Sequence, residues 1–362
     1  MRMRSTLVTV FVAAALFGAG CASTEAGDTT TETGASETTA NSAAAITSSE
    51  TTSSEGVPLR IGLLQFLPTF NIFVAEQEGF FDDEGLDVEL VYIQDFNLIG
   101  QAVESGDVEI GARNYDGILS AIAQDFEWRV VYPHVLYSSD APDAQLMVRS
   151  DLFGSPEEAA QALEGETFAV NVGTQSWMAS QVYLENEWGV DPSTLEYVEI
   201  PYADILAAFD QGTAAGAHVV EPFAAQMEEA GVGKPLGPHL DSVALLPPHG
   251  NGTERFLIQA SFARSDWIAE NADTMERFVS AMNAATESIL ENPDQYNDLA
   301  VEFTGMEESV VLGELYPDRY IVDSSVTADE ALAEIRFNAA TGLIDKELTL
   351  DEVLAEQFPL AP

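Results

Sequence analysis

Three small polar residues, Thr174, Gln175 and Ser176, stand together at the start of an expected helix. Residues 167–172 before them are typical of a buried strand, and residues 175–188 have a helical pattern. The first turn of a helix leaves backbone N–H groups without partners, and its dipole favours negative charge. Hydroxyl and amide side chains at such a point predict a site for a carboxylate, sulfonate or similar anion. The alternative is that Thr174 only caps the helix.

Other polar and aromatic residues follow the carboxyl ends of three further expected strands, where ligands bind in open α/β sheets. Arg113 is one of 13 Lys and Arg residues, and we expect it either to pair with an anionic ligand or to bridge to a surface acid. Glu221 is expected to accept hydrogen bonds from an amine or ring N–H of a ligand, or only to cap the helix that starts at Pro222. The candidate ligand-binding residues are Gln65, Phe66, Thr69, Phe70, Arg113, Asn114, Tyr115, Thr174, Gln175, Ser176, Trp177 and Glu221.

Four of these candidates are aromatic: Phe66, Phe70, Tyr115 and Trp177. Aromatic rings on both sides of a site favour a flat or apolar ligand. Because aromatic residues lie more often in a core, we expect about half of the four to touch the ligand. An anion-binding loop with a nearby carboxylate indicates a zwitterionic or heterocyclic ligand.

The residue types needed for covalent or metal chemistry are scarce. Cys21 is the only cysteine, which excludes a disulfide within the chain and a cysteine-based metal cluster. The four histidines, His134, His218, His239 and His249, show no ligand spacing and are expected to be structural. No nucleophile–base pair and no glycine-rich phosphate loop is recognisable. We therefore expect no enzymatic activity, no metal and no cofactor.

Strands and helices alternate along the middle of the chain, which predicts α/β layers with mostly parallel sheets. The expected strands are 59–64, 86–92, 108–112, 128–133, 167–172, 195–200 and 217–220. The expected helices are 71–78, 98–105, 117–124, 175–188, 203–211 and 268–292, with capping boxes at Ser155, Thr327 and Thr349. Residues 106–112 and 212–218 are faintly similar, which favours two similar lobes that face a cleft. The C-terminal helices are expected to pack on the first lobe.

The N-terminus has the pattern of an export signal followed by a lipid attachment site. Arg2 and Arg4 precede an apolar run at 7–20 that is too short to span a bilayer. Cys21 follows Gly-Ala-Gly, which resembles a bacterial lipobox, although Gly18 stands where an aliphatic residue is usual. An ordinary signal peptide is the alternative. We expect residues 1–20 to be removed and Cys21 to be lipidated at the outer face of the cell membrane, followed by a flexible, disordered linker over 21–57.

The charge balance excludes two classes of partner. The chain has 61 Asp and Glu residues against 13 Lys and Arg, a formal net charge of −48. Such a surface repels nucleic acid and anionic lipid. Only Lys234 and Lys346 are lysines. An acidic, lysine-poor surface is typical of halophilic proteins, and a generally acidic proteome is the alternative.

Several segments resemble ABC importer solute-binding proteins of the nitrate, sulfonate and taurine type and their thiamine-pyrimidine-precursor relatives. Residues 73–90, FVAEQEGFFDDEGLDVEL, are similar to the family segment A-x-x-x-G-[FY]-F-x-x-x-G-L-x-V-x-L. Residues 168–225 resemble the family through VGTQS at 172–176 and Glu-Pro-Phe at 221–223, and residues 264–283 resemble its return segment. Val220 stands where the family often has Trp, which leaves the ligand class open.

This resemblance implies a two-lobed α/β protein of the periplasmic-binding-protein type II fold, with mixed, mostly parallel sheets and a ligand cleft between the lobes. It implies a first lobe of 58–150 and 247–362 and a second lobe of 151–246, with crossings near Arg149 and at 247–253.

The implied function is that of an extracytoplasmic solute-binding protein, expected to be a monomer. It would close on a small organic or anionic molecule, sulfonate-, nitrate-, taurine- or pyrimidine-like, and deliver it to the permease and ATPase subunits of an ABC importer. One alternative is a ligand-sensing surface lipoprotein without a transport role. A less favoured one is an enzyme similar to pyrimidine-precursor synthases, whose Cys-rich motif this chain lacks.

Overall fold

The computed structural model describes residues 56–138, 144–221, 223–238, 255–312, 316 and 325–361. The predicted export signal, Cys21, nearly all of the predicted linker and the expected crossing at 247–253 lie outside these ranges. None of the helices in the described ranges is both long and apolar enough to cross a lipid bilayer.

Ten β-strands in the described residues form two mixed sheets of five strands each. In chain order they are β1 Val57–Leu63, β2 Leu86–Tyr92, β3 Ile110–Asn114, β4 Trp128–Ser138, β5 Ala144–Arg149, β6 Thr167–Ala169, β7 Glu196–Val198, β8 Gly216–Val220, β9 Gly233–Pro238 and β10 Arg255–Arg264. The strand order is β2-β1-β3-β10-β4 in the first sheet and β7-β6-β8-β5-β9 in the second. We call each sheet with its packed helices a lobe.

The two sheets follow the same plan. In each, three parallel strands lie side by side: β1 pairs with β2 and β3, and β6 pairs with β7 and β8. An antiparallel strand, β10 or β5, then lies between the third parallel strand and the last strand, β4 or β9. Residues 106–112 and 212–218 lead into the equivalent third strands β3 and β8, so the faint similarity between these segments corresponds to equivalent positions.

The chain changes sheets between Ser138, where β4 ends, and Ala144, where β5 begins. The sequence indicated a crossing near Arg149, but Arg149 already ends β5 in the second sheet. The reason is that the apolar run before it belongs to the second lobe. Leu146 and Val148 are buried there and pair with β8 and β9.

Fourteen α-helices connect or cover these strands in the described residues. They are α1 Phe70–Gln77, α2 Phe80–Asp83, α3 Phe96–Ser105, α4 Tyr115–Ala123, α5 Pro156–Gln161, α6 Gln175–Trp188, α7 Tyr202–Asp210, α8 Phe223–Glu229, α9 Ser265–Glu270, α10 Ala272–Glu291, α11 Asn297–Thr304, α12 Glu308–Val310, α13 Ala328–Thr341 and α14 Leu350–Val353. Short 3-10 helices lie at Leu67–Thr69, Ser150–Leu152, Pro192–Thr194 and Pro293–Tyr296.

Most of the expected elements are present, but the strands β5, β9 and β10 were not among those expected, and several bounds differ. Strand β3 ends two residues later than expected and therefore includes Arg113 and Asn114. Strand β6 ends at Ala169, because the chain turns outward and leaves Val172 44% exposed. The single helix expected at 268–292 is two helices, α9 and α10, because Asn271 adopts a non-helical conformation (φ −126°, ψ 37°) between them.

The helix starts follow the predicted capping chemistry. Thr327 with Glu330 and Thr349 with Glu352 form complete capping boxes at α13 and α14. At α5, the side chain of Ser155 accepts a hydrogen bond from the third amide of the helix.

Helix α13 packs against both lobes. Its residues Ala331 and Ile335 belong to a core of the first lobe, which also contains Tyr115. Ala333 and Phe337 of the same helix pack into the core of the second lobe. The expectation that the C-terminal helices pack on the first lobe therefore describes only one face of α13.

A buried polar network stabilises the first lobe around His134, which is fully buried on β4. Its Nδ1 lies 2.9 Å from Oδ1 of Asn71, and its Nε2 lies 2.7 Å from Oγ of Ser261. The amide of Asn71 donates in turn to Thr286. Burial lowers the pKa of His134 to about 3, so the ring is neutral. This histidine is part of the core, as the sequence indicated.

Candidate functional site

The residues that follow β1 pack within the first lobe. Thr69 is fully buried, and its hydroxyl donates to the carbonyl oxygen of Phe66 at 3.0 Å. The ring of Phe70 is buried against Phe303, with ring centroids 5.9 Å apart. The side-chain amide of Gln65 donates to the carbonyl oxygen of Phe303 at 2.6 Å. None of these four predicted site residues lines the cavity described below.

The side chains at the end of β3 and the start of α4 point in two directions: Tyr115 into the core, and Asn114 and Asp116 toward the cavity described below. Tyr115 is fully buried and its hydroxyl donates to the carbonyl oxygen of Ala331 at 3.1 Å, so its ring belongs to the core. Asn114 is half-buried, and its amide donates to the carboxylate of Asp116. The same carboxylate oxygen accepts from the backbone amide of Gly117 at 2.7 Å. The acidic side chain of Asp116 is thereby fixed in the first turn of α4.

The Arg113 guanidinium lies in a narrow slot between α3 and α4. A Cβ atom on Gly117 of α4 would lie 2.2 Å from Nη2 of Arg113, and one on Gly100 of α3 would lie 3.3 Å from Nη1. Glycine at both positions lets the guanidinium pack directly against helix backbone. Arg113 is 8% exposed, and its Nε donates to Oδ1 of Asn114 at a long 3.3 Å.

Arg113 is thus a buried cation, and within the described part of the chain it forms no ion pair. Burial lowers the pKa of its guanidinium, and the charges of Asp116 and Asp95 only partly offset this effect. A buried charge without a partner destabilises a fold. The guanidinium carries a planar fork of N–H donors that matches carboxylate, sulfonate and phosphate groups. Its position therefore suits an anionic ligand.

Helix α6 of the second lobe directs its N-terminus toward Asp116. Thr174 is the N-cap: its Oγ1 accepts from the amide of Trp177 at 3.4 Å and donates to the carbonyl oxygen of Asn171 at 2.6 Å. The backbone amide of Gln175 donates to Oδ2 of Asp116 at 3.3 Å, a contact between the lobes. A carboxylate of the first lobe therefore lies at the positive end of the α6 dipole.

The remaining predicted site residues are placed around the second lobe. Trp177 packs against its core, edge to face with Tyr197 at 6.0 Å between centroids, and its buried Nε1 has no hydrogen-bond partner among the described residues. Ser176 is half-buried in the first turn of α6. Glu221 is buried, and its Oε2 accepts from the amide of Ala225 at 3.1 Å, which caps α8.

A cavity of about 420 Å³ is lined by both lobes and by the C-terminal region. Four predicted site residues line it: Arg113, Asn114, Thr174 and Gln175. Most of the other lining residues were not singled out by the sequence reasoning, among them Gly100, Asp116, Gly117 and Asn338. Asp116 could have been found, because it directly follows the predicted block at the end of β3. Asn338 lies on the distant helix α13 and has no local signal.

Metal chemistry finds no support in the described residues, where no group of three or more His, Cys, Asp or Glu side chains is arranged to hold a metal ion. His218 is buried in β8, and burial lowers its pKa to about 4. His239 and His249 lie outside the described residues.

Comparison with known proteins gives one family and several relatives. The sequence profile of the NMT1/THI5-like family matches residues 69–296. YtlA of Bacillus subtilis (strain 168), a candidate binding protein, is 23% identical over 280 residues, which are 76% of this chain and 78% of YtlA.

Solved structures extend the comparison to the fold. The periplasmic aliphatic sulphonate binding protein SsuA from Escherichia coli is 16% identical with a TM-score of 0.65, covering 83% of this chain and 98% of SsuA. The periplasmic nitrate-binding protein NrtA from Synechocystis PCC 6803 is 14% identical with a TM-score of 0.64, covering 84% of this chain and 87% of NrtA.

These similarities confirm the α/β fold and the family resemblance that the sequence predicted. SsuA and NrtA are named as binding proteins, and YtlA as a candidate binding protein. The matched segment includes the strands β2 to β10 and both helix starts that meet at Asp116. The chain belongs to the NMT1/THI5-like family.

Proposed function

We propose that this protein is an extracytoplasmic solute-binding protein that holds a small molecule with an anionic group and delivers it to an ABC importer. The observation that carries the proposal is Arg113, a buried guanidinium without an ion pair in the described residues, beside a cavity lined by both lobes. SsuA and NrtA, which share the fold, are named for binding a sulphonate and nitrate, and both are anions.

The residues of the cavity have distinct roles in this proposal. The anionic group accepts hydrogen bonds from the Arg113 guanidinium, which is held ready by the glycines of α3 and α4. Asn114 of the first lobe and Thr174 and Gln175 of the second supply further polar contacts. A ligand that touches both lobes at once binds the closed form better than the open form, and so shifts the population toward closure. The permease would then recognise the closed form, and no covalent bond of the ligand changes.

We also propose that the protein is tethered to the outer face of the cell membrane through lipidated Cys21. Support comes from the order of basic residues, short apolar run, small residues and single cysteine at the N-terminus. A Cys21→Ser variant expressed in the native host should be released from the membrane fraction. Retention of the variant in that fraction would contradict the lipid tether.

The ligand proposal is tested by a stability screen of the purified protein in molar salt. The library holds nitrate and other oxyanions, sulfonates, aromatic acids, and pyrimidine and flavin precursors. We expect at least one anionic class to raise the melting temperature. Its affinity, measured by calorimetry, should fall roughly 10- to 150-fold in Arg113→Met, because a hydrogen bond to a charged group contributes about 1.5–3 kcal/mol.

The matched control is Arg277→Met. Arg277 lies on α10 and pairs with Asp273 of the same helix at 2.7 Å, outside the cavity lining. We expect this variant to bind the ligand with unchanged affinity. Equal affinities in wild type and Arg113→Met would contradict the proposed anion site.

A further inference from the structure

The carboxylate of Asp116 lies at the place where the sequence predicts the anionic group of a ligand. Its Oδ2 accepts a hydrogen bond from the backbone amide of Gln175 at 3.3 Å, at the N-terminus of α6. Free N–H groups and the helix dipole make this end of α6 attractive to an anion. The first lobe therefore supplies the second lobe with an anion of its own.

Three N–H donors fix this carboxylate. Its Oδ1 accepts from the side-chain amide of Asn114 and from the backbone amide of Gly117, the latter at 2.7 Å. Its Oδ2 accepts from Gln175. Asp116 is half-buried, so water and salt screen its charge less than the charge of an exposed acid. An ordered, half-buried carboxylate adds a fixed negative potential to the cavity.

The lining of the cavity holds little positive charge. Among the described residues it contains one cation, Arg113, and two carboxylates, Asp116 and Glu104. Glu104 is exposed, and its Oε2 accepts from Nε1 of Trp128 at 2.8 Å. The charge of Asp116 reaches the guanidinium, where it raises the pKa of Arg113 against the larger effect of burial. Arg113 and Asp116 thus act on the same part of the cavity with opposite sign.

This pair of opposite charges treats singly and doubly charged ligands differently. The energy of a charge–charge interaction is proportional to the charge of the ligand. The guanidinium of Arg113 balances one negative charge. A second negative charge on the same group meets Asp116 without a second cation in the described lining, and the group also loses more hydration when it enters the cavity.

We propose that Asp116 is a specificity-determining residue, whose carboxylate takes the anion position at the start of α6 and excludes ligands that carry a doubly charged group. Sulfate and phosphate monoesters are such ligands. Arg113 binds the ligand through hydrogen bonds, and Asp116 acts on it through charge alone. The inference rests on the proposed function, since it concerns the anionic group in the same cavity. It adds that removal of this one cavity residue's charge strengthens binding.

Two pairs of anions that differ by one charge and little in shape test the proposal. Methanesulfonate is paired with sulfate, and succinamate is paired with succinate. Each anion is titrated calorimetrically into the purified protein at about pH 8, where all four are ionised, and at one fixed ionic strength. We expect the singly charged member of each pair to bind wild type roughly tenfold tighter than its partner.

Asp116→Asn removes the charge and keeps the size of the side chain. It should tighten binding of the singly charged members roughly tenfold and of the doubly charged members roughly 100-fold, the square of the same factor. The preference for a single charge is then lost. A change in lobe closure alone would alter both members of a pair by the same factor. Asp116→Glu retains the charge and should retain the preference.

The control variant is Asp191→Asn. Asp191 is an exposed acid at the start of the 3-10 helix Pro192–Thr194, where its Oδ1 accepts from the amide of Ser193 at 2.9 Å, and it does not line the cavity. This variant loses the same charge and should bind all four anions as wild type does. Its result separates the local effect of Asp116 from the net charge of the protein.

Three results would overturn the role of Asp116. They are equal binding of the two members of each pair to wild type, equal gains for both members in Asp116→Asn, and no binding of any of the four anions to Asp116→Asn. The proposed function is judged separately, by the loss of affinity for the screened ligand in Arg113→Met.

Discussion

Replacing Arg113 by Met should stabilise the unliganded protein and weaken its ligand binding at the same time. Methionine replaces the aliphatic stem of Arg113 and carries no charge, but it is shorter and leaves the place of the guanidinium between Gly100 and Gly117 unfilled. The hydrogen bond that is lost, from Nε to Oδ1 of Asn114, is 3.3 Å long and contributes at most about 1 kcal/mol. Apolar residues in place of buried ionic groups commonly stabilise by about 1–4 kcal/mol. We therefore expect the free energy of unfolding to rise by about 0–3 kcal/mol.

The assay is urea unfolding of the unliganded protein, followed by tryptophan fluorescence, for wild type, Arg113→Met and Arg277→Met. The surface variant should change the free energy of unfolding by no more than about 0.5 kcal/mol. In parallel, the anionic ligand found in the stability screen should bind Arg113→Met roughly 10- to 150-fold more weakly. Opposite signs for stability and binding are the signature of a residue kept for its ligand.

The result that would refute this reasoning is a clear loss of stability. A decrease of more than about 1 kcal/mol in unliganded Arg113→Met would show that the guanidinium is satisfied within the folded chain. Arg113 would then be a structural residue, and its burial would no longer argue for an anionic ligand.

Three further perturbations follow from the geometry. Asp116→Asn should weaken the contact between this side chain and the N-terminus of α6 by roughly 0.3–2 kcal/mol. Because this contact joins the two lobes, small-angle scattering of the unliganded protein should show a larger radius of gyration. An unchanged radius would mean that this contact does not hold the lobes together. Gly117→Ala places a Cβ 2.2 Å from Nη2 of Arg113, so the guanidinium must move. Calorimetry should show weaker anion binding although no charge is lost. An unchanged affinity would contradict the claim that Gly117 positions the guanidinium for the ligand. Burial lowers the pKa of His134 to about 3, below the unfolded value of about 6.5, so only the unfolded state gains this proton as the pH falls. The free energy of unfolding should therefore fall as the pH is lowered from about 6.5 to 3, by up to about 1.4 kcal/mol per pH unit. Urea unfolding of His134→Gln should show a shallower fall over the same pH range. Identical pH profiles for the two proteins would contradict a neutral, buried His134.

The order of strands and helices was largely predictable, because apolar periodicity is a local property of the chain. Strand β2 and helix α6 have the expected bounds, and the capping boxes at Thr327 and Thr349 are present. The position of β5 was not predictable in the same way. Residues 144–149 have the pattern of a strand in either lobe, and only pairing with β8 and β9 decides which sheet they join.

The site was predictable where it depends on strand ends and less where it depends on packing. Arg113, near the end of β3, and Thr174, in the loop after β6, line the cavity, as expected of residues at the carboxyl edge of a sheet. Phe70 and Tyr115 also follow strands, but their rings point into the core, and sequence spacing does not distinguish the two directions. Asn338 reaches the cavity only because α13 packs between the lobes.

The central claim is that the two lobes hold a small anionic molecule through Arg113. Native mass spectrometry of the protein isolated from its own host tests this most directly, because the ligand need not be guessed. The account predicts one small molecule with a carboxylate, sulfonate or other anionic group per chain, present on wild type and Arg277→Met and absent from Arg113→Met. A bound molecule without an anionic group, or one retained equally by Arg113→Met, would contradict it.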